Sequence, residues 1–156
     1  MNTFEELQEE ACKDGIDVIE NYPFERDRIS GLYADYTIVL SKNLKNSAEK
    51  ACVLAEELGH HYTAVGDIID QSTVENRKQE MYGRAWAYNK QIGLTGLINA
   101  YRNHCQNAHE VAEYLNVTDE FLADSLDYYR SKYGCCTQVD NFVIFFEPNI
   151  AVMELL

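Results

Sequence analysis

Ala51-Cys-Val-Leu-Ala-Glu-Glu-Leu-Gly-His-His-Tyr62 places apolar side chains at Ala51, Leu54, Ala55 and Leu58. Steps of three and four residues are the signature of a helix with one buried face. On a helix, residues i and i+4 project from the same side one turn apart. Glu56 and His60 can therefore grip one metal ion, with Glu57 leaning beside it. The competing register pairs Glu57 with His61, about 100° further round the helix. On a purely solvated face the same residues would be ordinary helix charges and a surface histidine.

Outward from this segment, Asn46-Ser47-Ala48-Glu49 resembles a capped helix start, with a carboxylate three residues after Asn46. Upstream, Leu32, Ala34, Tyr36, Ile38 and Leu40 alternate with Tyr33, Asp35, Thr37 and Val39, which reads as one half-buried strand. Its span Tyr33 to Leu40 is a candidate edge for pairing with an extended substrate segment. Downstream, Gly66 and Asp70-Gln-Ser-Thr73 break the pattern. Val74 to Gln91 then reads as a second helix with Met81, Ala85, Tyr88 and Ile92 on one stripe. A hydrolytic metal site needs about three protein ligands and one open position. This second helix offers Glu80, with Glu75 as its competitor, and periodicity alone does not choose between them.

Residues 3–20 read as a helix followed by a short strand. Segments 97–105 and 108–115 and the stretch from Asp119 to about Tyr133 read as further helices, the last capped by Thr118. Cys136-Thr-Gln-Val139, a turn at Asp140-Asn141, and Phe142 to Phe146 form a hairpin closed by Pro148. The expectation is a single helix-rich α+β domain with a small β-sheet beside the motif helix and a C-terminal β-hairpin. A catalytic core would cover 1–95, and a helical segment with the hairpin 96–156.

Composition narrows the partners. Hydrophobic residues make up 46% of the 156, enough for a real core. No apolar run approaches the ~18–20 residues of a membrane span, and the amino terminus has neither the basic region nor the apolar stretch of a signal peptide. A cytoplasmic protein without membrane contact is expected. The formal net charge of −13, from 26 acids and 13 bases, argues against direct nucleic-acid binding, which needs Lys and Arg to neutralise phosphates.

The stretch from Leu32 to Ala87 resembles the ImmA/IrrE family of metallo-endopeptidases. That zincin-like family shows a strand, a His-Glu-Leu-Gly-His helix, and a helix carrying Glu-x-x-Ala-x-x-Phe-Ala. Here the corresponding residues are Glu56-Glu-Leu-Gly-His60 and Glu80-Met-Tyr-Gly-Arg-Ala-Trp86-Ala87. The resemblance implies Glu56, His60 and Glu80 as metal ligands, Glu57 as the catalytic base, and His61 in a supporting or surface role. Trp86-Ala87 takes the place of Phe-Ala, and Gly83 stands where Ala is usual, a mild change. It further implies a zinc cofactor and a protein substrate, a helix-turn-helix repressor of a phage or mobile element that is cleaved or inactivated. The departure is Glu56 in the place of the first His. Carboxylates are more at home with harder ions, so Mn²⁺ or another divalent ion is an alternative to Zn²⁺. A catalytically silent anti-repressor, acting by docking alone on the same fold, is the second reading.

The remaining chemistry-bearing residues attract plainer readings. Ala108 to Ala123 has helix-turn-helix spacing, but from Asn107 to Gly134 six acids face only Arg130 and Lys132. Such a recognition helix would repel phosphate, so helical packing is expected, with a DNA-mimicking or repressor-docking surface as its rival. His104 and His109 read as surface histidines, and Tyr62 and Tyr82, close in sequence to the candidate ligands, as core or surface tyrosines. Five cysteines with no C-x-x-C spacing read as free thiols. The neighbours Cys135 and Cys136 would point to opposite faces of a strand.

Overall fold

The computed structural model describes residues 2–63 and 74–156, without the side chains of 74–76. The chain forms two compact units, 1–87 and 88–156, with the division falling inside one helix. The first unit contains α1 (Thr3–Lys13), β1 (Asp17–Tyr22), β2 (Gly31–Ala34), β3 (Thr37–Ser41), α2 (Ser47–Thr63) and the start of α3 (Val74–Gln91). Asn2 and Glu5 form a reciprocal capping box at the start of α1. Asn46 accepts the Glu49 N–H at 2.9 Å at the start of α2, as its sequence implied. The sheet runs β1-β3-β2, with β1 parallel and β2 antiparallel to the central β3. Helix α2 packs across β2 and β3 and against α1. Ile38 and Leu40 meet Leu54, Ala55 and Leu58 in a core sealed at 0–1% exposure.

The single strand expected over 32–40 is a tight hairpin, and with it the candidate edge changes. Asp35 and Tyr36 take φ of 47° and 60°, the left-handed pair of a two-residue hairpin turn. The turn resets the alternation, so Tyr33 registers with Ile38 and Leu32 with Val39. Leu32 is consequently 46% exposed while Ile38 is fully buried. Residues 37–40 lie in the central strand, with both backbone edges already paired. Only the β2 portion of the proposed span forms a sheet edge, and that edge lies beside α2.

The second unit begins within α3 and adds α4 (Gly93–Arg102), α5 (Ala108–Leu115), α6 (Asp119–Tyr133), β4 (Cys136–Val139), β5 (Phe142–Phe145) and β6 (Ala151–Glu154). The expected hairpin of β4 and β5 is there, and β6 pairs antiparallel to β5 to make a three-stranded sheet. Tyr129 anchors this unit: it is 1% exposed, its ring stacks on Phe146 at 5.9 Å, and its hydroxyl donates to Asn89 at 3.0 Å. No helix among the described residues is long and apolar enough to cross a membrane.

Candidate metal centre

The buried stripe of α2 consists of Ala51, Cys52, Leu54, Ala55, Glu57, Leu58 and Gly59. Helical periodicity therefore carries Glu57 inward with the apolar residues, leaving it 8% exposed, while Glu56 and His60 flank the stripe. Helix α3 meets α2 here through glycines. A Cβ on Gly59 would lie 2.2 Å from the Gly83 carbonyl oxygen, and one on Gly83 would lie 2.5 Å from His60 Cδ2. The buried stripe of α3 accordingly contains Gly83, Ala87 and Tyr88, whereas Met81, expected on it, is 47% exposed. Gly83 is thus more than a mild change: it leaves the space that the His60 ring fills.

This close crossing brings Glu80 to His60. Glu80 Oε2 lies 3.0 Å from His60 Nε2, and Glu57 Oε2 lies 3.4 Å from His60 Nδ1, so one imidazole sits between two carboxylates. Arg84 Nε stands 3.6 Å from the other Glu80 oxygen. Contact with Glu57 and then with Glu80 pushes the His60 pKa up to about 10 against the opposing effect of burial. Glu80 is lowered, chiefly by its contact with His60. Glu56 is pushed up to about 7, first by burial, with Arg84 and His60 opposing and the charges of Glu57 and Glu80 adding.

These surroundings suit a cation, and two of the proposed ligands already converge. His60 Nε2 is buried and makes no properly directed hydrogen bond, although a carboxylate oxygen faces it at 3.0 Å. The N–H direction, not the separation, is what fails. Donors sharing one ion through tetrahedral bonds of ~2.0–2.2 Å stand ~3.3–3.6 Å apart, so a small opening of the pair admits one. The proton that His60 holds so tightly sits where a positive ion would relieve the same carboxylates. Glu56 feels the charges of Glu57, His60, Glu80 and Arg84 but does not complete the set. Among the described residues, no group of three or more His, Cys, Asp or Glu side chains is arranged to hold an ion.

The remaining candidates fall into place around the pair. His61 is joined to the Tyr33 hydroxyl by a 2.6 Å hydrogen bond through Nδ1, and its ring meets Tyr33, Tyr36 and Tyr62 edge-on. It is engaged away from Glu57, which faces His60, so the structure does not bring Glu57 and His61 together. The side chain of Glu75 lies outside the described residues. Tyr62 donates to Asp14 and packs on Trp86, while Tyr82 is 59% exposed. Sequence reasoning missed Gly31 on β2. A Cβ there would lie 2.6 Å from Val53 Cγ1 and 3.4 Å from Glu57 Oε1. Glycine in a strand often marks a close approach, the signal that could have found it.

No curated protein and no solved structure matches the chain. A family model does: the one described as Peptidase M78, IrrE N-terminal-like domain, matches residues 13–127. That span includes both glycines of the helix crossing, the His60–Glu80 pair and the buried Glu57. With roughly three quarters of its residues under that model, this chain belongs to the IrrE N-terminal-like, M78-type metallopeptidase family.

Proposed function

We propose that the protein is a metal-dependent endopeptidase whose substrate is a helix-turn-helix repressor. The observation that carries this reading is the imidazole of His60, held between a carboxylate of its own helix and one of the next, in a family of metallopeptidases. Glu56, His60 and Glu80 would hold one divalent ion, Zn²⁺ or a harder ion such as Mn²⁺. When bound, that ion supplies Lewis acidity for a water and for the scissile carbonyl. Glu57 takes the proton of the attacking water on its carboxylate and later delivers it to the departing amine. It is buried against β2, where Gly31 puts no side chain beside its Oε1. An extended substrate segment pairing with the free edge of β2 would pass this carboxylate.

Glu57→Gln keeps shape and removes the proton acceptor. Metal content and partner binding should survive, while cleavage falls by the ~10²–10⁴-fold typical of losing a general base. The second reading, a silent anti-repressor, is favoured by Glu56 in place of histidine. It would prevail if Glu57→Gln relieved repression as fully as the parent protein, with uncut repressor in both.

A further inference from the structure

Adjacent strand residues point to opposite faces, which would hold the sulfurs of Cys135 and Cys136 apart. Instead, the two Sγ atoms lie 3.8 Å from each other. The cause is local. β4 begins at Cys136, and Cys135 follows the helix-ending Gly134, whose φ is 86°, so Cys135 stands outside the pleat. Its backbone is nevertheless pinned: the Phe146 N–H donates to the Cys135 carbonyl at 2.8 Å, and Cys136 registers with Phe145. Two thiols are thus held side by side on a fixed backbone, with Cys135 exposed and Cys136 half-buried.

The geometry discriminates between the chemistries open to such a pair. A disulfide prefers Cα atoms ~4.4–6.8 Å apart, whereas neighbours across a trans peptide are held at ~3.8 Å. Closing one would distort backbone that the β4–β5 pairing fixes. Tetrahedral zinc needs further protein ligands, and no group of three candidate donors gathers among the described residues. The Cys136 thiol is raised, first by its hydrogen bond with Cys135, which leaves it protonated at neutral pH and slow to oxidise. A single atom that binds two neighbouring sulfurs and brings its own third substituent meets all these constraints.

We propose that Cys135 and Cys136 form a dithiol site for monosubstituted trivalent arsenicals. The reaction is a condensation with R–As=O. Two As–S bonds form, the As=O bond breaks, and the two thiol protons leave with that oxygen as one water. No atom changes oxidation state.

The test is titration of the reduced full-length chain with phenylarsine oxide in excess glutathione. The expected product carries one phenylarsenic on the peptide containing 135 and 136, loses two titratable thiols, and is released by ethanedithiol but not by a monothiol. Cys135→Ser and Cys136→Ser should each weaken capture by ~10²–10⁴-fold, the advantage of making the second bond intramolecular. Unchanged capture in either folded variant, arsenic mapped to Cys12, Cys52 or Cys105, or release by glutathione would overturn the site. Should a variant fail to fold, peptide mapping and dithiol-specific release on the parent chain decide the matter.

Discussion

At Gly59 and Gly83 the two motif helices come within backbone contact, and substitution there tests the crossing on which the candidate site depends. In an open helix, Gly→Ala gains about 1 kcal/mol. Here the new methyl of Gly59→Ala would meet the Gly83 carbonyl at 2.2 Å. The sign should reverse, to a loss of ~1–3 kcal/mol from overpacking. Urea denaturation measures it, and a raised midpoint would contradict the crossing. The two shifted groups give a second prediction, for the metal-free protein. His60, raised to about 10 by Glu57 and Glu80, contributes stability that is complete below its unfolded value of ~6.5 and is lost as pH rises through 10. Glu56, raised to about 7 chiefly by burial, binds its proton more tightly folded than unfolded, so stability also falls between its ordinary value and 7. The melting temperature should therefore decline from about pH 5 to 9, and Glu56→Gln should remove the decline below pH 7. A metal-free protein whose melting temperature stays level over that range, or a Glu56→Gln variant that declines like its parent, would contradict the assignment.

Elements with strong local signals were legible before the structure. The α5–turn–α6 segment is one: Asn116 takes the left-handed conformation at φ 55°, and the Thr118 hydroxyl accepts the Phe121 N–H at 3.0 Å. Thr118→Ala should cost ~1 kcal/mol in chemical denaturation through loss of that cap. An unchanged midpoint would mean that water replaces the hydroxyl. The exposed sides of these helices are acidic, and His109 bridges Glu113 and Asp119 at 3.0 and 3.1 Å, in keeping with a surface histidine. Elements defined by their partners were harder to read. The β2–β3 hairpin reads as one strand because Leu32, Ala34, Ile38 and Leu40 keep a period of two in the sequence, whereas the two-residue loop reverses which parity faces the core and sets Tyr33, not Leu32, beside Ile38. β6, only Ala151–Glu154, has no pattern of its own and exists through its pairing with β5. Met81 was misplaced because the sequence could not show that backbone, not a side chain, makes the contact at Gly83.

Across the whole chain, the family and the α+β character were carried by two short motifs on α2 and α3, and the helix crossing explains why those motifs go together. The resemblance already put Glu80 with His60; what the sequence could not supply was side-chain direction, that Glu57 is buried against β2 and that His61 turns to Tyr33. The acidity of the molecule, −13 overall, also has a local counterpart in the two carboxylates, Glu57 and Glu80, that flank the His60 imidazole. On the proposed reading, an ion held by His60 displaces the proton of that imidazole. The most direct test is calorimetric titration of the metal-free chain with Zn²⁺ and Mn²⁺ in buffers of different protonation enthalpy, beside His60→Ala and Glu80→Gln. The account predicts one ion per chain with at least one proton released at neutral pH, and binding weakened by the ~10–100-fold or more that follows loss of groups at a metal site. Absence of binding, or affinity unchanged in His60→Ala and Glu80→Gln, would contradict it.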